Sequence, residues 1–323
     1  MSQAGQGTRG TVALVGGGVV GSAWAVVFAR AGYAVRLTDV SSEAQAAART
    51  GARDSLAALA AEGLAGPDAA EAVLDRITTP GSLEEAVAGA DYVQESAPER
   101  LEVKRELYQQ LDMLVPPGVV IGSSTSGLPA SSFTAAMATR SRCLVVHPIN
   151  PPQLIPLVEL VPAPWTDPSA VERAAALMRT VGQAPIRLSR EINGFVVNRL
   201  QSAVLAEAFK LVADGICSAA DLDSAMSDGL GLRWAFMGPF ETIDLNAKAG
   251  VAEYCRNLGP MYQGLAAEQA AVRTWTPELV ATIERERRAA VPGEELTGRR
   301  QWRDRCLAGI VAAKRRIFDR EGR

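Results

Sequence analysis

The chain has 323 residues, enough for two domains with separate hydrophobic cores. A formal net charge of −3 gives no basic surface for a nucleic acid, and no uncharged apolar run reaches the ~20 residues of a membrane span. The four cysteines are spaced too widely for a zinc or redox motif, so we expect a cytoplasmic protein with reduced thiols and no metal.

The first predicted strand, Thr11–Val15, runs into the glycine loop Gly16-Gly17-Gly18-Val19-Val20-Gly21. The loop fits G-x-G-x-x-G and opens a helical pattern, the context in which this motif indicates dinucleotide binding. Gly16 would allow a tight turn, Gly18 a close approach to a pyrophosphate, and Gly21 close packing of helix on strand. A turn or packing role without a ligand is the alternative for the loop taken alone.

The second predicted strand, Ala34–Asp39, ends in an acid at the position expected for a ribose ligand, ~20 residues after the loop. Asp39 would bind the adenosine ribose hydroxyls. No arginine follows to accept a 2′-phosphate, which favours NAD over NADP. FAD could use the same loop, but no second flavin motif is present.

Short β-branched runs and helical patterns alternate as far as residue 190, which predicts a parallel sheet with helices on both faces. The alanine-rich segment 42–75 is interpreted as a helical pair inserted after the second strand. The remaining predicted strands are Asp91–Gln94, Val119–Gly122, Cys143–Val146, Pro156–Val161 and Ala184–Leu188. The other predicted helices are Gly21–Ala31, Pro98–Leu114, Ala130–Ala138 and Pro168–Val181.

Beyond Ser189 the apolar positions recur only at helical spacing. The fold class is therefore α/β: a Rossmann-type, mostly parallel sheet domain over residues 1–190, followed by an all-helical C-terminal domain over 191–323. The predicted helices are Gly194–Asp214, Ser218–Asp228, Phe240–Leu258, Gly264–Arg273, Pro277–Ala289 and Glu294–Asp319.

His147 is the single histidine of the chain. The predicted strand Cys143–Val146 leads to it and Pro148 follows, which predicts a loop after the strand. Imidazole is the side chain suited to proton transfer near neutral pH. Glu159 lies in an apolar strand pattern, where a buried acid needs a partner, and His147 is the obvious one. A hydrogen-bonded core histidine is the alternative.

Small and polar residues follow the strand Val119–Gly122, ending at Ser126. Ligands meet the carboxyl ends of strands in an open parallel sheet, so the Ser126 loop and His147 are expected to face each other near the nicotinamide. Turn and cap chemistry is the alternative for most of these hydroxyls. Asn198 is expected to face inward on a helix, with capping or packing as its alternative.

These segments, taken together and in order, resemble the 3-hydroxyacyl-CoA dehydrogenase family. The strongest resemblance is to the branch that contains lambda-crystallin and L-gulonate 3-dehydrogenase. The resemblance to the family is carried by Gly16–Gly21 with Asp39, the Ser126 loop, His147–Pro151, Glu159, Gly194–Leu200 and Met237–Glu241. The resemblance to this branch is carried by His147–Pro152, Ile155–Pro162, Gly229–Phe236 and Arg299–Asp304.

The resemblance implies an active site of Ser126, His147, Glu159 and Asn198. It also implies cofactor contacts from Glu99 and Lys104. In the expected reaction His147 removes the proton of a secondary hydroxyl while NAD takes the hydride. Glu159 orients the imidazole.

The substrate has three candidates: a small 3-hydroxy acid such as L-gulonate, carnitine, or a 3-hydroxyacyl-CoA. The insert, where CoA-using members of the family bind the polyphosphate, has no lysine, and its basic residues are only Arg49 and Arg53, with Arg76 directly after it. Arg233 could grip a free carboxylate with two hydrogen bonds, or form a surface ion pair. Trp234 could face a trimethylammonium group.

The resemblance also implies a homodimer formed through the helical domain. An NADH-binding structural protein without turnover is the non-enzymatic alternative. No nucleic-acid or membrane partner is expected.

Overall fold

The computed structural model describes residues 8–322. Its contacts divide the chain into two compact units. Of the described residues, the first unit contains 8–196 and 303–322, and the second is Val197–Trp302. None of the helices within residues 8–322 combines the length and apolarity needed to cross a membrane.

One eight-stranded sheet forms the centre of the first unit, in the order β3-β2-β1-β4-β5-β6-β7-β8. All neighbouring strands are parallel except β6 and β7, which are antiparallel. The predicted mostly parallel sheet is confirmed. The strands are β1 (Thr11–Val15), β2 (Ala34–Thr38), β3 (Ile77–Thr78), β4 (Tyr92–Glu95), β5 (Val120–Ser123), β6 (Cys143–Pro148), β7 (Leu157–Pro162) and β8 (Ala184–Arg187).

Two strands differ from prediction. The two-residue strand β3 was not predicted, because it is too short to show a periodic pattern. Strand β6 continues past the predicted end to Pro148, so His147 lies within a strand rather than in a loop. The extension forms because β7 pairs with it through Pro148↔Val158.

Helices cover both faces of the sheet. Alternate residues of β1 enter different cores: Val12 and Leu14 pack on one face, and Ala13 and Val15 on the other. The segment 42–75 is a helical pair, as predicted. The helices of this unit before residue 196 are α1 (Val19–Arg30), α2 (Ser42–Ala61), α3 (Ala70–Leu74), α4 (Leu83–Val87), α5 (Leu101–Leu114), α6 (Ser131–Thr134) and α7 (Pro168–Thr180).

The second unit is helical in its described residues, as predicted. The α-helices are α8 (Val197–Ala213), α9 (Ala219–Ser224), α10 (Gly231–Trp234), α11 (Pro239–Leu245), α12 (Gly250–Gln269), α13 (Pro277–Ala290) and the start of α14 (Leu296–Glu321). A π-helical turn, Ala225–Leu230, joins α9 to α10.

The single predicted helix Phe240–Leu258 is wrong, because α11 ends at Leu245 and a new helix, α12, begins at Gly250. Gly250 has φ +72°, a left-handed conformation that a side chain would strain. The break predicted between Leu258 and Gly264 is also wrong, since α12 runs on through Pro260.

The division of the chain differs from the predicted boundary near 190. The first unit continues to Val196, and the end of α14 belongs to it rather than to the helical domain 191–323. Ala308 and Ala312 explain this difference, because they are buried in the core of the first unit. Small side chains four residues apart lie on one face of a helix and let it pack closely.

Candidate active site

The glycine loop follows β1, and two of its glycines are required by the backbone. Gly16 has φ +110°, and a Cβ there would lie 2.5 Å from the carbonyl oxygen of Ser96. A Cβ on Gly21 would lie 1.9 Å from the Gly16 carbonyl oxygen. Nothing lies within 4 Å of a Cβ on Gly18, which precedes α1. The loop is therefore tight where it packs and open where a pyrophosphate would approach the amides of α1.

Asp39 holds this loop at the end of β2. Its Oδ2 accepts a hydrogen bond from the Gly17 amide at 2.7 Å, and Oδ1 accepts one from the Ser41 amide at 3.0 Å. The acid also lines a cavity of about 570 Å³ with Ser82, Val103 and Leu107. An open loop, an acid and an adjacent cavity fit the adenosine half of NAD.

His147 and Glu159 are brought together by the antiparallel pairing of β6 and β7, in which they are direct partners. The histidine Nδ1 lies 2.7 Å from Glu159 Oε2. A carboxylate only accepts hydrogen bonds, so Nδ1 carries the proton and Nε2 is the nitrogen left to accept one. Glu159 is fully buried and His147 is 6% exposed. The pair is therefore a buried acid with a proton acceptor at its outer end.

Residues Phe195 and Val196 contact this pair, one at the imidazole and the other at the carboxylate. The Val196 amide donates to Glu159 Oε1 at 2.7 Å. Phe195 is fully buried, and its ring centroid lies 5.5 Å from that of His147. Its φ of 51° is left-handed, which is uncommon for a bulky residue. The sequence analysis gave Phe195 no role and predicted a helix from Gly194, although a glycine before an aromatic residue could have suggested an unusual turn.

The Ser126 loop leaves the same edge of the sheet as His147, because Ser123 at the end of β5 pairs with Val145 of β6. Glu99 organises this loop. Its carboxylate accepts a hydrogen bond from the hydroxyl of Thr125. It also accepts hydrogen bonds from the backbone amides of Ser126, Gly127 and Leu128, at 3.2–3.3 Å.

The pKa of Glu99 lies below its ordinary value. Partial burial acts to raise this pKa, but the hydrogen bond from Thr125, the charge of Lys104 and the loop amides outweigh burial. Glu99 is therefore a carboxylate held ionised by the loop that it positions. Its predicted contact with the cofactor stays a prediction.

Lys104 lies on α5 with its side chain buried. Its Nζ contacts both oxygens of Glu95, at 2.7 and 2.9 Å. Glu95 also accepts the Ser123 hydroxyl at 2.5 Å and the Ala97 amide at 2.7 Å. The observed partner of the lysine is thus a carboxylate at the end of β4, and a cofactor contact from Lys104 also stays a prediction.

The last two predicted residues lie in the second unit. Asn198 is half-buried in the first turn of α8, and Arg233 is exposed on α10. The pKa of Tyr254 is raised by its hydrogen bond with Tyr262, at 2.8 Å, and burial adds to that shift while the charge of Arg233 opposes it. Arg233 is thus a cation close enough to act on a neighbouring phenol.

The fold and the cofactor loop define an NAD-dependent dehydrogenase. Residues 11–192 match the NAD binding domain of 3-hydroxyacyl-CoA dehydrogenase, and residues 194–290 match the C-terminal domain of the same enzyme. The chain therefore belongs to the 3-hydroxyacyl-CoA dehydrogenase family, whose members act on 3-hydroxyl groups.

Several characterised proteins are similar over the whole length. The lambda-crystallin homolog of Bos taurus is 44% identical over 98% of this chain and 99% of its own. The L-carnitine dehydrogenase of Pseudomonas aeruginosa is 38% identical over 97% and 96%. A solved NAD⁺-dependent dismutase, 5-formyl-3-hydroxy-2-methylpyridine 4-carboxylic acid 5-dehydrogenase, has a TM-score of 0.80 at 29% identity, covering 96% of this chain and 98% of its own.

Proposed function

We propose that the chain oxidises the 3-hydroxyl of a small free hydroxy acid, with L-gulonate as substrate and 3-dehydro-L-gulonate as product. The observation that carries the chemistry is the 2.7 Å contact between His147 and Glu159 at the edge of the sheet where β5 and β6 end. Carnitine is the second candidate, because L-carnitine dehydrogenases are among the relatives.

In this mechanism His147 Nε2 accepts the hydroxyl proton of the substrate. Glu159, fixed by the Val196 amide, holds the ring and stabilises the imidazolium that forms. Ser126 and Asn198 hydrogen-bond the substrate oxygen as it becomes a carbonyl. Bound NAD supplies the hydride acceptor.

A free acid is favoured over an acyl-CoA because the arginines near the insert are engaged. Arg49 donates to the Ile77 carbonyl at 2.9 Å. Arg76 pairs with Asp68 at 2.7 Å and donates to the Ala29 carbonyl at 3.0 Å. Arg53 is left exposed. A polyphosphate needs several cations, whereas one arginine such as Arg233 can bind a carboxylate bidentately.

The substrate assignment is tested by adding L-gulonate, carnitine and 3-hydroxybutyryl-CoA separately with NAD and following NADH absorbance. L-gulonate should give the highest kcat/KM, and Arg233→Met should raise its KM while Arg256→Met, also exposed in the second unit, leaves it unchanged. Preference for the CoA thioester would overturn the free-acid proposal. NADH binding without turnover of any of the three would favour a structural role.

We also propose a cytoplasmic homodimer formed through the helical unit. Large apolar side chains are exposed there, including Leu200, Leu232, Phe240 and Leu245, each more than 60% exposed. Exposed apolar surface of this kind marks association sites. Light scattering at micromolar concentration should give twice the monomer mass, and a monomeric mass would contradict the dimer.

A further inference from the structure

A polar network lies behind the glycine loop, at the ends of β4 and β5. Ser124 Oγ is its centre. It receives the Trp24 indole N–H at 3.1 Å and the Gln94 amide at 2.7 Å, and lies 2.9 Å from Ser96 Oγ. Trp24 and Gln94 are fully buried, whereas the two serines are half-buried. The network therefore connects the core to the side where the cofactor binds.

The orientation of the Gln94 amide is fixed by its partners. Its nitrogen also donates to the Val146 carbonyl at 3.1 Å, which only accepts hydrogen bonds. Its oxygen therefore faces the Tyr92 hydroxyl, which donates at 2.5 Å. Gly122 leaves room for this contact, since a Cβ there would lie 2.2 Å from the tyrosine oxygen.

The direction of the bond between the two serines follows from the valence of the hydroxyl oxygen. Two N–H donors, from Trp24 and Gln94, occupy both lone pairs of Ser124 Oγ. Ser124 must then donate its own proton, and Ser96 Oγ accepts it. The proton of Ser96 is consequently directed away from Ser124, and within residues 8–322 the Ser96 hydroxyl has no hydrogen-bond partner besides Ser124.

Ser96 lies directly against the glycine loop. Its amide donates to the Val15 carbonyl at 2.7 Å. Its carbonyl oxygen would be 2.5 Å from a Cβ on Gly16, and its own Cβ would be 3.7 Å from one on Gly21. Ser96 is therefore a direct neighbour of the loop that receives the pyrophosphate of a dinucleotide in this type of domain.

We propose that Ser96 is a further cofactor-binding residue, whose hydroxyl donates to an oxygen of the pyrophosphate of NAD. The network from Tyr92 through Gln94 and Ser124 sets the direction of that donor before the cofactor arrives, which lowers the ordering cost of binding. Binding of the cofactor by Ser96 does not depend on which 3-hydroxy acid is the substrate.

The test is a titration of Ser96→Ala with NADH, ADP-ribose and adenosine, with the Tm of the free protein measured in parallel. Loss of one hydrogen bond to a charged or polar oxygen should raise the Kd for NADH and ADP-ribose by the same factor, about tenfold. Adenosine lacks the acceptor and should bind equally to both proteins. Ser169→Ala, an exposed serine on α7, serves as the matched control and should leave every Kd unchanged.

An unchanged Kd for NADH would overturn the proposal, even if the Tm fell, because the hydroxyl would then only complete the network. An equal loss for adenosine would also overturn it, since the whole site would have been disturbed. A selective loss for the two ligands that contain a pyrophosphate, at unchanged Tm, would support the assignment.

Discussion

Two fully buried carboxylates lie on strands of the same sheet, and their partners differ. Glu95 on β4 contacts Lys104, whose side chain is itself buried. Glu159 on β7 meets His147, a group that can be neutral or charged and retains some exposure. The pair of Glu95 and Lys104 offers no exposed proton acceptor, whereas a buried acid behind an imidazole that retains some exposure can support proton transfer.

The largest effect is expected at the titratable partner. His147→Gln should lower kcat by about 10²–10⁴-fold, the usual contribution of a positioned acid–base group. The Kd for NADH should not change, because the imidazole acts on the substrate. Steady-state kinetics and an NADH titration check both expectations, and near-normal turnover would exclude His147 as the base.

Lys104→Met should act on stability instead. It leaves the Glu95 charge buried without a counter-charge, which is expected to lower the free energy of unfolding by about 3–5 kcal/mol. The double variant Glu95→Gln/Lys104→Met removes both charges and should regain most of that loss. Denaturant unfolding of the three proteins measures the difference, and equal stabilities of the two variants would show that the ion pair is not the cause.

Glu159→Gln should lower kcat, but by less than His147→Gln does. The amide oxygen can serve either His147 or the Val196 amide, so one of two hydrogen bonds is lost and kcat should drop about 10- to 100-fold. Groups that act as a unit are not additive. Adding this substitution to His147→Gln should therefore cost little further activity, and fully multiplicative losses would mean that the two residues act independently.

The smallest effect concerns the acid that positions Ser126. The pKa of Glu99 is lowered, so its hydrogen bonds to the loop are complete above the ordinary glutamate pKa. They are lost only as the pH falls through the lowered value. The amide chemical shifts of Ser126 and Gly127 should accordingly titrate at a pH below that of a glutamate in a peptide, and Glu99→Gln should abolish that transition.

The sequence predicted the parts of this molecule that have a strong local signal. The glycine loop, its acid and the alternation of strands and helices each follow from residue types at short spacing. Strand β3, the break at Gly250 and the packing of Ala308 have no such signal, because they depend on contacts with distant segments.

The residues of the candidate site likewise divide into those with a local sequence signal and those whose contacts depend on the fold. The partnership of His147 with Glu159 was predicted because a buried acid requires a partner. The engagement of Lys104 by Glu95 and the network around Ser124 were not predicted, because each joins residues from separate strands and helices whose register is set only by the folded sheet.

The antiparallel pairing of β6 with β7 determines where Glu159 lies relative to His147. Side chains alternate between the two faces of a strand, so a one-residue shift of β7 against β6 would turn every residue of β7 to the opposite face. Glu159 would then point away from the imidazole although no active-site residue had been altered. The register of this strand pair is thus a condition of activity, although most of the residues that set it make no contact with the substrate.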